Sequence, residues 1–426
     1  MRIQLNNLKF LVRALSSRNF RLFFFGQAVS LIGTWMQQIA MRWLVYRLTK
    51  SELMLGVVGF VSDVPLFLVP FAGVLADRLK RHQILFVTQL LAAIQAAVLA
   101  VLVITESVAV WHVVVLGGML GIISAFDITA RQSFIVDMIE NKDDLPNAIA
   151  LNSFIFNGAL LIGPAVAGIL IAAVGEGLCF AINSLSYLSV VGALMMMKIP
   201  KKKFSSSALG FKASIIEGAT YTFASVPIRS ILIFVAVVSF VAASYPLLMP
   251  VYAERTLQGG PRVFGYLMSA TGVGALAGAI FLASRNNLKG LGEMIVIAAI
   301  LYGVGYFALA LSTALPISLI IALVLGFSLM MQMASSNTIV QTIVEDQKRG
   351  RVLSLFVMAR RGIESLGSLL FGAIAAWIGT PGTMMIAGTV CLLAVAAFAT
   401  QLPSIRQAGN SFGENRDPAQ RRDRRL

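Results

Sequence analysis

Two carboxylates, Asp63 and Glu364, lie deep inside long apolar runs of a sequence that otherwise keeps charge out of them. Asp63 is nine residues past the start of the run 54–76, roughly 13 Å deep at the helical rise of 1.5 Å per residue. Glu364 is twelve residues into the run 352–378, roughly 18 Å deep. Arg360 and Arg361 precede Glu364 by four and three positions, so either can pair with it on one helix face. Arg42 sits near the far end of the first run, about one turn from the level of Asp63 if the two helices run antiparallel. Ionisable groups in hydrocarbon are costly and mark either a pathway or an internal pair. One chemistry these residues could do is to bind and release a proton, with burial raising a carboxylate's pKa and a nearby arginine lowering it. The other is a structural ion pair, and both readings stay open for Asp63 and Glu364. Arg42 also reads as an interfacial cation whose stem lies along apolar surface while its head reaches water. Asp127 and Arg131, four apart near one end of their run, read as a pair anchoring a loop.

The elements that must position these charges follow from composition. Of the 426 residues, 58% are hydrophobic and 12% charged, with a mean hydropathy of +0.84. A soluble domain carries roughly 25% charged residues. The chain is therefore an all-α membrane protein whose solvent is lipid. Runs long enough to span a bilayer occupy 22–46, 54–76, 84–104, 110–130, 148–173, 178–197, 229–250, 264–284, 292–312, 316–338, 352–378 and 382–402. The turn Gly379-Thr380-Pro381-Gly382 divides the last two.

With the N-terminus placed in the cytoplasm and the sides alternated, 29 of the 34 lysines and arginines fall on the cytoplasmic side. The other five are Arg42, Arg47, Lys50, Arg255 and Arg262. Positive charge gathers inside, so the split supports twelve helices with both termini cytoplasmic. It also explains the net charge of +15 without a nucleic-acid partner, since the bases lie in short breaks rather than on one polar face. Cys179 and Cys391 lie in apolar runs, and His82 and His112 form no ligand cluster, so neither a disulfide framework nor a metal site is expected. Catalytic triads and phosphate loops are equally lacking, and no enzyme is expected.

The organisation reads as a lead-in at 1–21, a six-helix bundle at 22–197, a cytoplasmic linker at 198–228, a second bundle at 229–402 and a basic, disordered tail at 403–426. Within the linker, Phe211–Phe223 has helical periodicity. An internal repeat relates the halves: Leu151–Gly168 aligns without gaps with Leu355–Gly372 at an offset of 204, bringing glycines 158, 163 and 168 onto 362, 367 and 372. Two parallel, pseudo-symmetric six-helix halves are a known transporter architecture.

Between the second and third runs stands Gly73-Val-Leu-Ala-Asp77-Arg78-Leu-Lys80-Arg81-His82. By its chemistry it is a tight turn carrying an acid and several bases. It also resembles the signature loop of the major facilitator superfamily, G-x-x-x-D-R-x-G-R-R, departing from it at Lys80 and His82. That resemblance implies a cytoplasmic gate built on Gly73, Asp77, Arg78 and Arg81, the acid facing the N-terminus of the eleventh helix. Gly158-Ala-Leu-Leu-Ile-Gly163-Pro164-Ala-Val-Ala-Gly168 resembles the pattern of antiporters within that superfamily. Physically it is a small-residue face on a proline-weakened helix. The equivalent helix has Ser368 where Pro164 stands.

The stretches Arg18-Asn19-Phe20-Arg21-Leu22, Gly33-Thr34-Trp35-Met36-Gln37, Leu151-Asn152-Ser153 and Arg349-Gly350-Arg351-Val352 are similar to the enterobactin-exporter-like branch. The branch implies export of a siderophore-like or drug-like amphiphile by alternating access, from a bacterial inner membrane. It implies proton-coupled antiport, with the proton gradient as energy source and no cofactor. Asp63, Glu364, Arg360, Arg361 and Arg42 are then the coupling and translocation candidates. Gln37, Gln38, Gln332 and Asn337 lie on helices that line the pore in the resembled family. A small-molecule substrate, the lipid bilayer and a monomeric state complete the expectation. A lysophospholipid transporter and a non-transporting sensor or scaffold are the alternatives.

Overall fold

The computed structural model describes residues 13–69, 80–197, 211–285, 290–345 and 348–404. These are nearly all helical and contain no strand. In chain order the helices are α1 (Arg18–Thr49), α2 (Glu52–Asp63), α3 (Arg81–Ile104), α4 (Val110–Met138), α5 (Leu145–Val174), α6 (Glu176–Met196), α7 (Phe211–Ala224), α8 (Val226–Ala242), α9 (Ser244–Val251), α10 (Gly260–Ala283), α11 (Leu291–Leu311), α12 (Leu315–Ile343) and α13 (Arg349–Ala399). Each of the twelve apolar runs coincides with helix. The second is described only as far as residue 69.

Lipid is the evident solvent of the outer faces. On α3 the exposed residues Val87, Leu90, Leu91, Ile94, Val98 and Val101 form one apolar stripe at helical spacing. The opposite face, with Ala92, Ala93, Ala96 and Leu99, is buried. Nine helices among the described residues are long and apolar enough to cross a membrane.

Several runs are less regular than their hydropathy predicts. The second changes after Asp63 from α-helix to a 3-10 turn at Val64–Leu68, where Pro65 removes a backbone donor. The seventh runs through α8 and α9 into a π-helical turn at Tyr252–Thr256. The last two runs are continuous in hydrogen bonding except at Gly379, whose φ of 77° and ψ of 170° make the turn expected there. A side chain is disfavoured at that φ, and glycine carries no such penalty.

Compactness divides the chain differently from the expected six and six. One unit comprises 1–207 with 249–272, and the other 208–248 with 273–426. The first half of α10 belongs with the N-terminal helices because its backbone is pressed onto α5, as described below. In the second unit, α7 is tied to the start of α13. Its Glu217 pairs with Arg351 at 2.5 Å, and Lys348 Nζ lies 4.4 Å from the centre of the Tyr221 ring.

The repeat extends to the packing. A β-carbon placed on Gly163 would lie 2.6 Å from Trp35 Cβ and 3.2 Å from the Met36 nitrogen. On Gly367 it would meet the Phe240 carbonyl. Phe240 stands 204 residues after Met36, the same offset that relates Gly163 to Gly367. Each unit thus holds one copy of the same glycine-mediated helix crossing.

Candidate translocation site

In the first unit the small-residue face of α5 meets α10 at backbone contact distance. A β-carbon on Gly168 would lie 2.8 Å from Gly265 Cα and 3.0 Å from the Pro261 carbonyl. One on Gly265 would lie 2.8 Å from the Pro164 carbonyl. Pro164 has no N–H for the carbonyl of Leu160, four residues back. That free carbonyl faces Gly272, whose added β-carbon would sit 2.9 Å away. Gly163 instead faces α1, and Gly158 has open space around it. The four motif residues therefore do different jobs. Gly163 seats α5 on α1, while Pro164 and Gly168 give α10 a smooth track.

The interior of the first unit carries a polar cluster that changes the reading of Asp127 and Arg131. Asp127 is not a loop anchor: its carboxylate is buried between helices, its side chain 6% exposed. Gln89 Nε2 donates to Asp127 Oδ1 at 2.8 Å, and Thr88 Oγ1 donates to the same oxygen at 3.2 Å. Arg131 forms an ion pair with Oδ2 one turn along α4. Arg131 Nε and Gln89 Oε1 are buried and make no hydrogen bond among the described residues.

A second network braces α1, α3 and α6. Gln37 Nε2 donates to Gln95 Oε1 at 3.0 Å, and Asn183 Nδ2 donates to Gln37 Oε1 at 2.6 Å. Gln37 is thus buried, with both ends of its amide engaged in this network. Gln332 is likewise fully buried, with Ser336 as its partner at 3.4 Å. Gln38 and Asn337 keep partial exposure.

The carboxylates singled out in the sequence lie apart. Asp63, in the first unit, sits at the joint between α2 and its 3-10 continuation. Asp63 and Arg42 both have interaction partners. Glu364, in the second unit, meets Arg361 at 3.5 Å, the outer limit of a useful contact. Arg360 makes no hydrogen bond or ion pair among the described residues. Of the gate motif, Gly73, Asp77 and Arg78 lie outside the described residues. Arg81 is the first residue of α3, and its Nη1 donates to Asp137 of α4 at 3.2 Å. The next residue, His82, bonds the Leu194 carbonyl through Nε2 at 2.8 Å.

At the opposite end of the same helices, several of the expected outside bases are neutralised locally. Arg47 pairs with the buried Glu176 at 2.8 Å, Lys50 with Glu254 at 2.7 Å and Arg255 with Glu52 at 2.6 Å. Sequence reasoning did not anticipate these pairs, because each joins residues more than a hundred positions apart.

Lipid-facing helix exteriors, repeated glycine crossings and buried polar clusters define a polytopic membrane transporter, with the fold of the major facilitator superfamily. The model of the transmembrane secretion effector family of that superfamily matches residues 12–422, and the chain belongs to this family. The chain is 25% identical to the staphyloferrin A transporter of Staphylococcus aureus, over 92% of its own length and 98% of that protein's. It is 26% identical to the multidrug efflux pump Tap of Mycolicibacterium fortuitum, over 87% and 92%. Among solved structures it resembles a POT family transporter in complex with 5-aminolevulinic acid, with a TM-score of 0.73 at 12% identity, covering 91% of this chain and 97% of that one. This last likeness shows the fold alone. The protein is a transporter of small molecules and not an enzyme.

Proposed function

We propose that this transporter exports a siderophore-like or drug-like amphiphile by alternating access, driven by proton antiport across a bacterial cytoplasmic membrane, as a monomer with both termini inside. The observation that carries the export reading is the α5–α10 track at Pro164, Gly168, Gly265 and Gly272. Helices in backbone contact, with no interlocking side chains, can shift against each other at little steric cost. End-to-end similarity to a siderophore transporter and a drug efflux pump supports the class of cargo.

For coupling, Asp63 and Glu364 are the leading acids. Glu364 meets Arg361 at 3.5 Å, a contact long enough for the acid to exchange partners. Glu364→Gln is expected to abolish uphill export while sparing downhill exchange, because a neutral glutamine mimics the protonated acid. Everted vesicles loaded with a fluorescent macrolide report both modes. A well-folded Glu364→Gln protein that still pumps uphill removes this residue from coupling.

Orientation has its own test. Reporter fusions at either terminus and within the 198–228 linker are expected to read cytoplasmic. A periplasmic signal from any of the three contradicts the topology drawn from the 29-to-5 charge split.

A further inference from the structure

Among its described residues, the second unit carries a cluster of two guanidiniums, Arg360 and Arg361, with the single carboxylate of Glu364 between them. Arg360 lies eleven residues into α13, roughly 16 Å along the helix. Its neighbours in sequence are Arg361 and, one turn on, Glu364, so the three sum to one positive charge. Glu364 has one carboxylate for two guanidiniums: it meets Arg361 at 3.5 Å and acts electrostatically on Arg360 as well. The described residues of the helices packed on α13 offer nothing further. Between Val226 and Val251 there is no acid, α12 has no charged residue, and the acid of α11 is Glu293 in its first turn. Glu217 of α7 is engaged by Arg351. By contrast, Arg131 of the first unit has a carboxylate to itself, which two further side chains hold in place.

A guanidinium at this depth without a carboxylate of its own is expensive in a membrane and is normally matched by an anion. Its planar fork is shaped for a carboxylate or phosphate and binds either through charge-assisted hydrogen bonds. We propose that Arg360, backed by Arg361, is a cargo-recognition residue that selects amphiphiles bearing a carboxylate. This rests on the export reading above and narrows it. Among amphiphiles of equal apolar bulk, the acid is carried in preference to the ester or the amine. Glu364 then sets the strength of the site, because it competes with the cargo carboxylate for the same two arginines. An anionic lipid headgroup could supply the same chemistry, so the test separates the two sources.

The probes are a dansylated fatty acid, its methyl ester and the corresponding amine, bound to the full chain in nanodiscs of zwitterionic lipid and followed by dansyl fluorescence. The wild type is expected to bind the acid about tenfold more tightly than the ester. Arg360→Gln should bring the ratio near one without weakening the ester, and Arg360→Lys should retain part of the preference. Equal binding of acid and ester by the wild type, or an unchanged ratio in Arg360→Gln, overturns the proposal. If Arg360→Gln fails to fold, the wild-type ratio and Arg360→Lys still decide. Loss of the acid preference when anionic lipid is added assigns Arg360 to lipid, and that too overturns it. Transport of the same three probes keeps this inference distinct from the export reading. Movement of all three at equal rates refutes acid selection alone, whereas movement of none of them, with acid-selective binding intact, refutes export.

Discussion

Gly168→Val is expected to abolish transport and to destabilise the purified protein. The valine β-carbon alone would lie 2.8 Å from Gly265 Cα and 3.0 Å from the Pro261 carbonyl. Both neighbours are backbone, so relief requires α5 and α10 to separate rather than a rotamer to turn. Overpacking of a core costs about 1–3 kcal/mol even where side chains can adjust, and the upper end applies here. Gly158→Val provides the control within the same motif, since nothing lies within 4 Å of a β-carbon there. The expected result is loss of export and a lowered melting temperature for position 168, with both retained for position 158. Equal tolerance at the two positions would show that the α5–α10 contact is looser than described. It would also remove the support that this contact gives to alternating access.

Asp127→Asn is expected to lower stability by about 3–5 kcal/mol, the range for breaking a buried ion pair from one side. Arg131 would remain largely enclosed, its side chain 20% exposed, with its Nε already lacking a hydrogen bond. The double substitution Asp127→Asn with Arg131→Gln removes the stranded charge and should recover most of that loss. Replacing a whole buried pair by neutral groups is often close to neutral. A double-mutant cycle on the melting temperature of the purified protein measures the coupling. Additive effects of the two substitutions would mean that water or lipid already satisfies each charge separately.

Much of the fold was legible because lipid imposes simple rules. Apolar length located the helices among the described residues, and Gly379 marked the last turn by a backbone angle that favours glycine. The α5 motif was also legible as a small-residue face. Its partner was not, since Gly265 stands almost a hundred residues later and nothing local in the sequence ties it to Gly168. Asp127 was misread for a similar reason. Its spacing to Arg131 was visible, but the donors Thr88 and Gln89 come from α3, and they turn a surface-style pair into an interior cluster. The partners of Gln37 were equally hidden. A polar residue in a membrane helix suggests a lined cavity, and only the positions of Gln95 and Asn183 reveal that its amide is already spent. Hydropathy likewise gave no hint of the 3-10 joint after Asp63 or the π-helical turn at Tyr252–Thr256, which leave apolar composition unchanged.

Proton-driven export is tested most directly with the purified chain in liposomes, by following a fluorescent macrolide while a pH gradient is imposed with the lumen acidic. In the fraction of molecules oriented with the cytoplasmic face outward, dye is expected to accumulate against its own gradient, with alkalinisation of the lumen as protons leave. A protonophore should collapse both signals together. Dye that equilibrates at the same rate and to the same level with and without the pH gradient would contradict proton-driven export.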